Sequence, residues 1–153
     1  MISAGIASGV VKDKNQKVRG DKTCWLDVNR KNDAEMEFLD TIRQFIGHLN
    51  TTCFTCINDF EFHYALYEEG TFYARHRDQL KNSYSRKYSM INYLNENWTE
   101  PNGGQLVLYK EEGEQTVLPN NQKAIFFQSD LLEHEVLIAN RPRMSITGWL
   151  KQI

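Results

Sequence analysis

Phe60-Glu61-Phe62-His63-Tyr64-Ala65-Leu66-Tyr67 is the stretch that decides how this chain is read. Phe60, Phe62, Tyr64 and Leu66 alternate with their neighbours, the period of a strand that buries one face. Further strand candidates follow at short intervals: Phe72 to Arg77, Lys87 to Leu94, Gln105 to Tyr109, Gln115 to Leu118, Ala124 to Gln128, Glu135 to Ala139 and Met144 to Leu150. The breaks between them carry turn residues, as in Glu68-Glu69-Gly70, Glu100-Pro101-Asn102-Gly103-Gly104, Pro119-Asn120-Asn121 and Asn140-Arg141-Pro142.

Upstream of Phe60 the period changes. Met36, Leu39, Ile42, Ile46 and Leu49 recur every three or four residues, so one helical stripe faces the core, and Asn32 or Asp33 can cap its start. This places a helix from about Asp33 to Leu49. Before it, Ala7 to Lys12 and Lys22 to Val28 read as extended segments joined by the polar Asp13-Lys14-Asn15-Gln16-Lys17. Many short strands with one helix make a mainly β fold, a two-sheet barrel or jelly roll with the helix packed on one side. No repeat, low-complexity tract or linker divides the sequence, and one domain is expected over residues 1–153.

Composition narrows the class. The chain of 153 residues is 41% hydrophobic and 25% charged, ordinary for a globular protein. A formal charge of -2 gives no support to nucleic acid or an anionic membrane as partner. No apolar run approaches the length of a membrane span, and the first residues lack a basic flank before a long apolar region, so a cytoplasmic location is expected. Cys24, Cys53 and Cys56 are an odd number, against a disulfide framework. Cys53 and Cys56 have the CxxC spacing, but no second CxxC or close histidine pair completes a zinc site, and a reading as small half-buried residues before a strand is preferred over a redox pair.

The chemistry lies in three other residues. His76 and Asp78 are two apart, so on a strand both point to one face while Arg77 points away. His134 opens a later strand that barrel closure can bring opposite them. Two imidazoles and one carboxylate hold one face of a non-haem Fe(II) and leave the other face open, whereas a structural zinc site wants a fourth ligand. Soon after His134 comes Arg143-Met144-Ser145-Ile146-Thr147-Gly148-Trp149, in which Arg143, Ser145 and Thr147 share one parity. An arginine there suits a carboxylate beside the metal, because its fork pairs with both oxygens. His48 near the helix end and His63 in mid-strand have no ligand-like neighbours and read as structural. Arg75, Arg77, Arg86 and Lys87 cluster near the motif and could favour an acidic peptide, but such a run reads first as a solvated face.

These motifs resemble the Fe(II)- and 2-oxoglutarate-dependent dioxygenases of the prolyl 4-hydroxylase type, close to the hypoxia-inducible-factor prolyl hydroxylases and their bacterial relatives. The likeness runs from Arg19-Gly20-Asp21-Lys22-Thr23-Cys24-Trp25 through Tyr73-Ala74-Arg75-His76-Arg77-Asp78, Ile91-Asn92-Tyr93-Leu94-Asn95 and Gly103-Gly104-Gln105-Leu106. It ends with His134-Glu135-Val136 and Arg143 to Trp149. The resemblance implies a double-stranded β-helix with His76, Asp78 and His134 on iron, and Fe(II), 2-oxoglutarate, O₂ and ascorbate as the reaction's helpers. It makes Arg143 the partner of the distal carboxylate of 2-oxoglutarate, with Tyr93 and Thr147 as hydroxyl donors. Tyr67, Tyr73 and Trp149 map to the aromatic wall, and Arg19, Asp21 and Trp25 to a mobile segment over the substrate.

The implied partner is a protein or peptide with a target proline, and bacterial members of this branch act on elongation factor Tu. Oxidation of another amino acid or small molecule, or a sensor module without catalysis, are the competing expectations. Relatives carry a further helix and strand ahead of the loop region, where this sequence has little before Arg19.

Overall fold

The computed structural model describes residues 1–3, 18–79 and 84–153. The extended segment expected over Ala7 to Lys12, and the polar connection after it, lie outside the described residues. In chain order the elements are β1 (Ile2–Ser3), β2 (Lys22–Trp25), α1 (Asp33–Cys53), β3 (Asp59–Tyr67), β4 (Tyr73–His76), β5 (Arg86–Tyr93), β6 (Leu106–Lys110), β7 (Gly113–Val117), β8 (Ala124–Gln128), β9 (Glu133–Val136) and β10 (Arg143–Lys151). Two antiparallel sheets form, one in the order β1-β2-β3-β10-β5-β8 and one in the order β4-β9-β6-β7. This is the double-stranded β-helix that the motifs implied.

Two apolar clusters hold it together. Between the sheets lie Ala65, Tyr67, Ile91, Tyr93, Leu106, Leu108, Val117, Phe127, Val136 and Ala139. On the outer face of the larger sheet, Ile42 and Leu49 of α1 pack with Phe62, Ile146, Leu150 and Ile57. Full burial of each such side chain is worth about 1.5–3 kcal/mol over exposure, which fixes the helix to the sheet. β3 and β10 are therefore covered on both faces. Gly148 of β10 shows how close that packing is: a Cβ there would sit 2.2 Å from the carbonyl oxygen of Glu61 and 2.4 Å from the Phe62 ring.

The expected helix start is kept, since the Asn32 side chain accepts from the N–H of Glu35 at 3.0 Å. Its end runs one turn past Leu49, to Cys53, and there the hydroxyls of Thr51 and Thr52 donate to the carbonyls of Gly47 and His48. It stops where Phe54 turns left-handed, at φ 54°. His48 is accordingly not in the last turn. Cys53 and Cys56 are exposed and free, not half-buried. Among the described residues no helix is long and apolar enough to cross a membrane.

Candidate functional site

β4 and β9 are neighbours in the smaller sheet, and His76 stands directly opposite His134 in their register. The two histidines are thus adjacent-strand partners, not groups facing each other across the barrel. β4 ends at His76, and Asp78 sits in the bend beyond it. That bend is tied down by the N–H of Gln79 on the carbonyl of Ser129 at 3.2 Å and by Arg86 Nη1 on the carbonyl of Asp78 at 3.4 Å. Asp78 Oδ1 lies 3.2 Å from His76 Nε2 and 3.5 Å from His134 Nε2. One ligand atom from each of the three residues lies within 4.8 Å of the others, so one ion could touch all three.

The rings are aimed by their other nitrogens. Nδ1 of His76 lies 2.7 Å from the carbonyl oxygen of Ala74, and Nδ1 of His134 lies 3.2 Å from that of Leu132. A carbonyl can only accept, so Nδ1 carries the hydrogen and Nε2 keeps its lone pair for a metal. Tyr73 stacks on His76 with centroids 3.5 Å apart, and Phe127 meets His134 at 4.9 Å. Burial opposes a charge on Asp78, but the two imidazoles outweigh it and hold the carboxyl well below its usual range. Burial likewise presses His134 down, and Asp78 raises it above the ordinary histidine value. His76 Nε2 is buried without a hydrogen-bond partner. Two such nitrogens and a carboxylate oxygen fit an Fe(II)-type ion with open positions.

The arginine lies deeper in the barrel. Arg143 is 1% exposed and pairs in register with Tyr67. Its guanidinium carbon sits 4.9 Å from the Tyr67 ring centre and 5.1 Å from that of Tyr93. Nε donates to the carbonyl of Gly104 at 2.8 Å. Gly104 itself needs to be glycine, with φ at +65° and Arg143 Cδ only 2.8 Å from where a Cβ would be. Arg143 Nη2 and the Tyr93 hydroxyl are both buried with no partner. Burial pushes the phenols of Tyr67 and Tyr93 up, so both stay protonated as donors. Ser145 and Thr147 share the same face, their hydroxyl oxygens 3.0 Å apart. Buried donors with nothing to accept them suit a carboxylate ligand.

The remaining predicted residues meet in two pairs, Trp149 with Trp25 and Arg19 with Asp21. Trp149 is buried, with Nε1 unpartnered. Trp25 is 48% exposed and tilts against it, ring centres 6.5 Å apart. Arg19 and the buried Asp21 hold each other, Nη2 to Oδ2 at 2.9 Å, and the Arg19 guanidinium lies 4.7 Å from the Tyr73 ring. Burial alone would make the Arg19 cation easier to discharge; Asp21 more than offsets it and raises its pKa.

Two residues here escaped sequence reasoning. Arg86 is no solvated cation: it lies 3.5 Å from the Trp149 ring centre and pairs with Glu61 at 2.8 Å. His63 is 2% exposed and touches both Trp25 and Trp149. The signal that could have found them is the layering: a strand sandwiched between helix and second sheet buries both parities.

A double-stranded β-helix carrying a two-histidine, one-carboxylate triad beside a buried arginine defines a class of non-haem iron oxygenases. Comparison with known proteins agrees. The family described as 2OG-Fe(II) oxygenase superfamily matches residues 62–151. A Pseudomonas putida prolyl-4-hydroxylase is 36% identical, with a TM-score of 0.87 over 92% of this chain and 76% of its own. A Trichoplax adhaerens prolyl hydroxylase, in complex with a hypoxia inducible factor oxygen degradation domain peptide fragment, is 27% identical, with a TM-score of 0.86 over 98% of this chain and 70% of its own. A viral collagen prolyl hydroxylase from Paramecium Bursaria Chlorella virus-1 shares the fold at 17% identity and a TM-score of 0.65, over 89% and 81% of the two chains. The chain belongs to the 2OG-Fe(II) oxygenase superfamily. It is a 2-oxoglutarate-dependent dioxygenase of the prolyl 4-hydroxylase type.

Proposed function

We propose that this enzyme hydroxylates a prolyl residue in a protein loop, with elongation factor Tu as the first candidate, and releases succinate and CO₂. The observation that carries the cosubstrate assignment is the pair of unpartnered buried donors, Arg143 Nη2 and the Tyr93 hydroxyl, in the barrel that also holds the metal-binding triad. The prolyl assignment is supported by the likeness to the bacterial enzyme and to the peptide-bound Trichoplax enzyme.

In this reading His76, Asp78 and His134 hold Fe(II), which when bound supplies the O₂ and C–H chemistry. Arg143 receives the distal carboxylate of 2-oxoglutarate, with Tyr93 and Thr147 donating hydroxyls. Tyr67 and Tyr73 complete the wall and exclude water, which strengthens the charge match. Trp149 and Trp25 line the target residue's slot, and the Arg19–Asp21 pair stiffens the segment that covers it. Ascorbate is the proposed reductant. The three free cysteines support a cytoplasmic setting. One reaction mixture, containing the protein, Fe(II), 2-oxoglutarate and elongation factor Tu or its prolyl loop peptide, tests the whole reading. Mass spectrometry should find one added oxygen on proline and matching succinate. Succinate without a modified peptide removes elongation factor Tu as the substrate, and no succinate from the iron-loaded protein removes the catalytic reading.

A further inference from the structure

His63 is a buried titratable group that neither the triad nor the anion cradle uses. It lies on β3, in register with Thr147 of β10 and with Trp25 of β2. Its ring meets Trp25 edge-on at 5.0 Å and Trp149 at 5.6 Å. Three rings thus close on one another, with solvent exposure falling from 48% at Trp25 to 6% at Trp149 and 2% at His63.

A merely packed aromatic would need no nitrogen here. Nδ1 of His63 lies 3.1 Å from the carbonyl oxygen of Tyr64, so it carries the ring's hydrogen. That leaves Nε2 as an acceptor. Burial lowers the pKa of the ring, Arg19 and Arg86 press the same way, and the Tyr64 carbonyl and Asp21 oppose them without reversing the shift. The imidazole is neutral near pH 7 and keeps that acceptor. Trp149 supplies the complementary group, because its Nε1 is a buried donor with no acceptor. Neighbouring rings therefore offer one acceptor and one donor. In an extended peptide the N–H and C=O of a single residue point to the same side, and one residue can satisfy both.

We propose that His63 reads the substrate backbone: its Nε2 accepts the N–H of the residue following the target proline, while Trp149 Nε1 donates to that residue's carbonyl. The inference rests on the prolyl reading, since a prolyl nitrogen has no hydrogen and the first N–H on the C-terminal side belongs to the next residue. It makes His63 a specificity residue outside the metal and cosubstrate sites.

The test compares two peptides of the elongation factor Tu loop, one natural and one with an ester in place of that single amide N–H. With the unaltered enzyme the ester peptide should show a KM raised about tenfold, the factor expected for one lost hydrogen bond. His63→Met should raise the KM for the natural peptide by a similar factor, leave the affinity for the 2-oxo acid in place and lose discrimination between the peptides. His63→Gln, which restores an acceptor, should recover most of the difference. Equal KM values for the two peptides on the unaltered enzyme overturn the proposal, and that arm needs no variant to fold. A His63→Met enzyme that still discriminates overturns it too. Failure of the substrate reading looks different: the unaltered enzyme would hydroxylate neither peptide, and elongation factor Tu and this inference would fall together.

Discussion

His76 and His134 face each other across the β4–β9 pair, and each ring is held by the same device. Nδ1 rests on the carbonyl two residues earlier, Ala74 at 2.7 Å and Leu132 at 3.2 Å. The strand pairing sets the separation of the rings and the carbonyls set their tautomer. Replacing either histidine by alanine should abolish stoichiometric Fe(II) binding, read by anaerobic titration, while the folded β signal in circular dichroism persists. Retained stoichiometric binding in His134→Ala would remove that residue from the triad.

The protonation of this site has a definite sign. In the metal-free protein Asp78 is depressed, so its contribution to stability is present above 3.8 and is lost as pH falls through its folded value. His134 is raised, so its contribution is complete below 6.5 and is lost as pH rises through its folded value. Metal-free protein should therefore gain most from this pair between those limits. A divalent ion must displace the His134 proton, so apparent metal affinity should fall as pH is lowered toward and through 6.5. Calorimetric titrations in buffers of different ionisation heat check this through proton release; affinity that rises on acidification contradicts it.

Arg143→Lys keeps a cation but loses the fork and the Nε bond to Gly104. The KM for 2-oxoglutarate should rise roughly 10- to 100-fold, the equivalent of one charge-assisted hydrogen bond. The KM for peptide should move much less. Steady-state succinate assays against each substrate separate the two, and an unchanged 2-oxoglutarate KM would take Arg143 out of the cradle.

Asn95 holds the backbone of β10 at Met144, the residue after Arg143. Its amide accepts from the N–H of Met144 at 2.7 Å and donates to the carbonyl of Met144 at 2.9 Å and to that of Pro119 at 2.8 Å. Asn95→Leu keeps the size and takes the partner from the Met144 N–H and the Pro119 carbonyl, at a loss of about 1–3 kcal/mol for each group left unsatisfied, while the Met144 carbonyl keeps the Leu94 N–H at 3.2 Å. Urea unfolding should show the loss, together with a raised 2-oxoglutarate KM. A variant as stable as the parent would show that these bonds are replaceable.

Gly148→Ala tests the two-sided burial of β10. The added methyl meets backbone at 2.2 Å and cannot be absorbed by turning a side chain. Overpacking of this kind costs about 1–3 kcal/mol or more. Thermal unfolding should report a lower midpoint, with Trp149 fluorescence altered because its strand must shift.

Much of this site is legible in the chain. Alternation marks β3, the i, i+3, i+4 stripe marks α1, and parity alone places Arg143, Ser145 and Thr147 on one face. Periodicity reports how many faces of an element are apolar, but not which layers lie on either side. His63 escapes it for that reason: the alternation makes Phe62 and Tyr64 the buried face, and only the second sheet buries the other. Arg86 reads as a surface charge because nothing local shows that Trp149 and Glu61 await it.

Covalent order settles which atoms are available: two imidazoles, a carboxylate, a guanidinium and hydroxyls at strand spacing, because it fixes parity within each strand. Tertiary structure alone decided that His134 lands opposite His76, 58 positions earlier, because pairing between strands depends on the register of the whole sheet. It also decided that Arg143 Nη2, Tyr93 Oη and Trp149 Nε1 would be sealed from water with no partner, and unsatisfied donors in a low-dielectric interior are what give the cavity its appetite for a ligand.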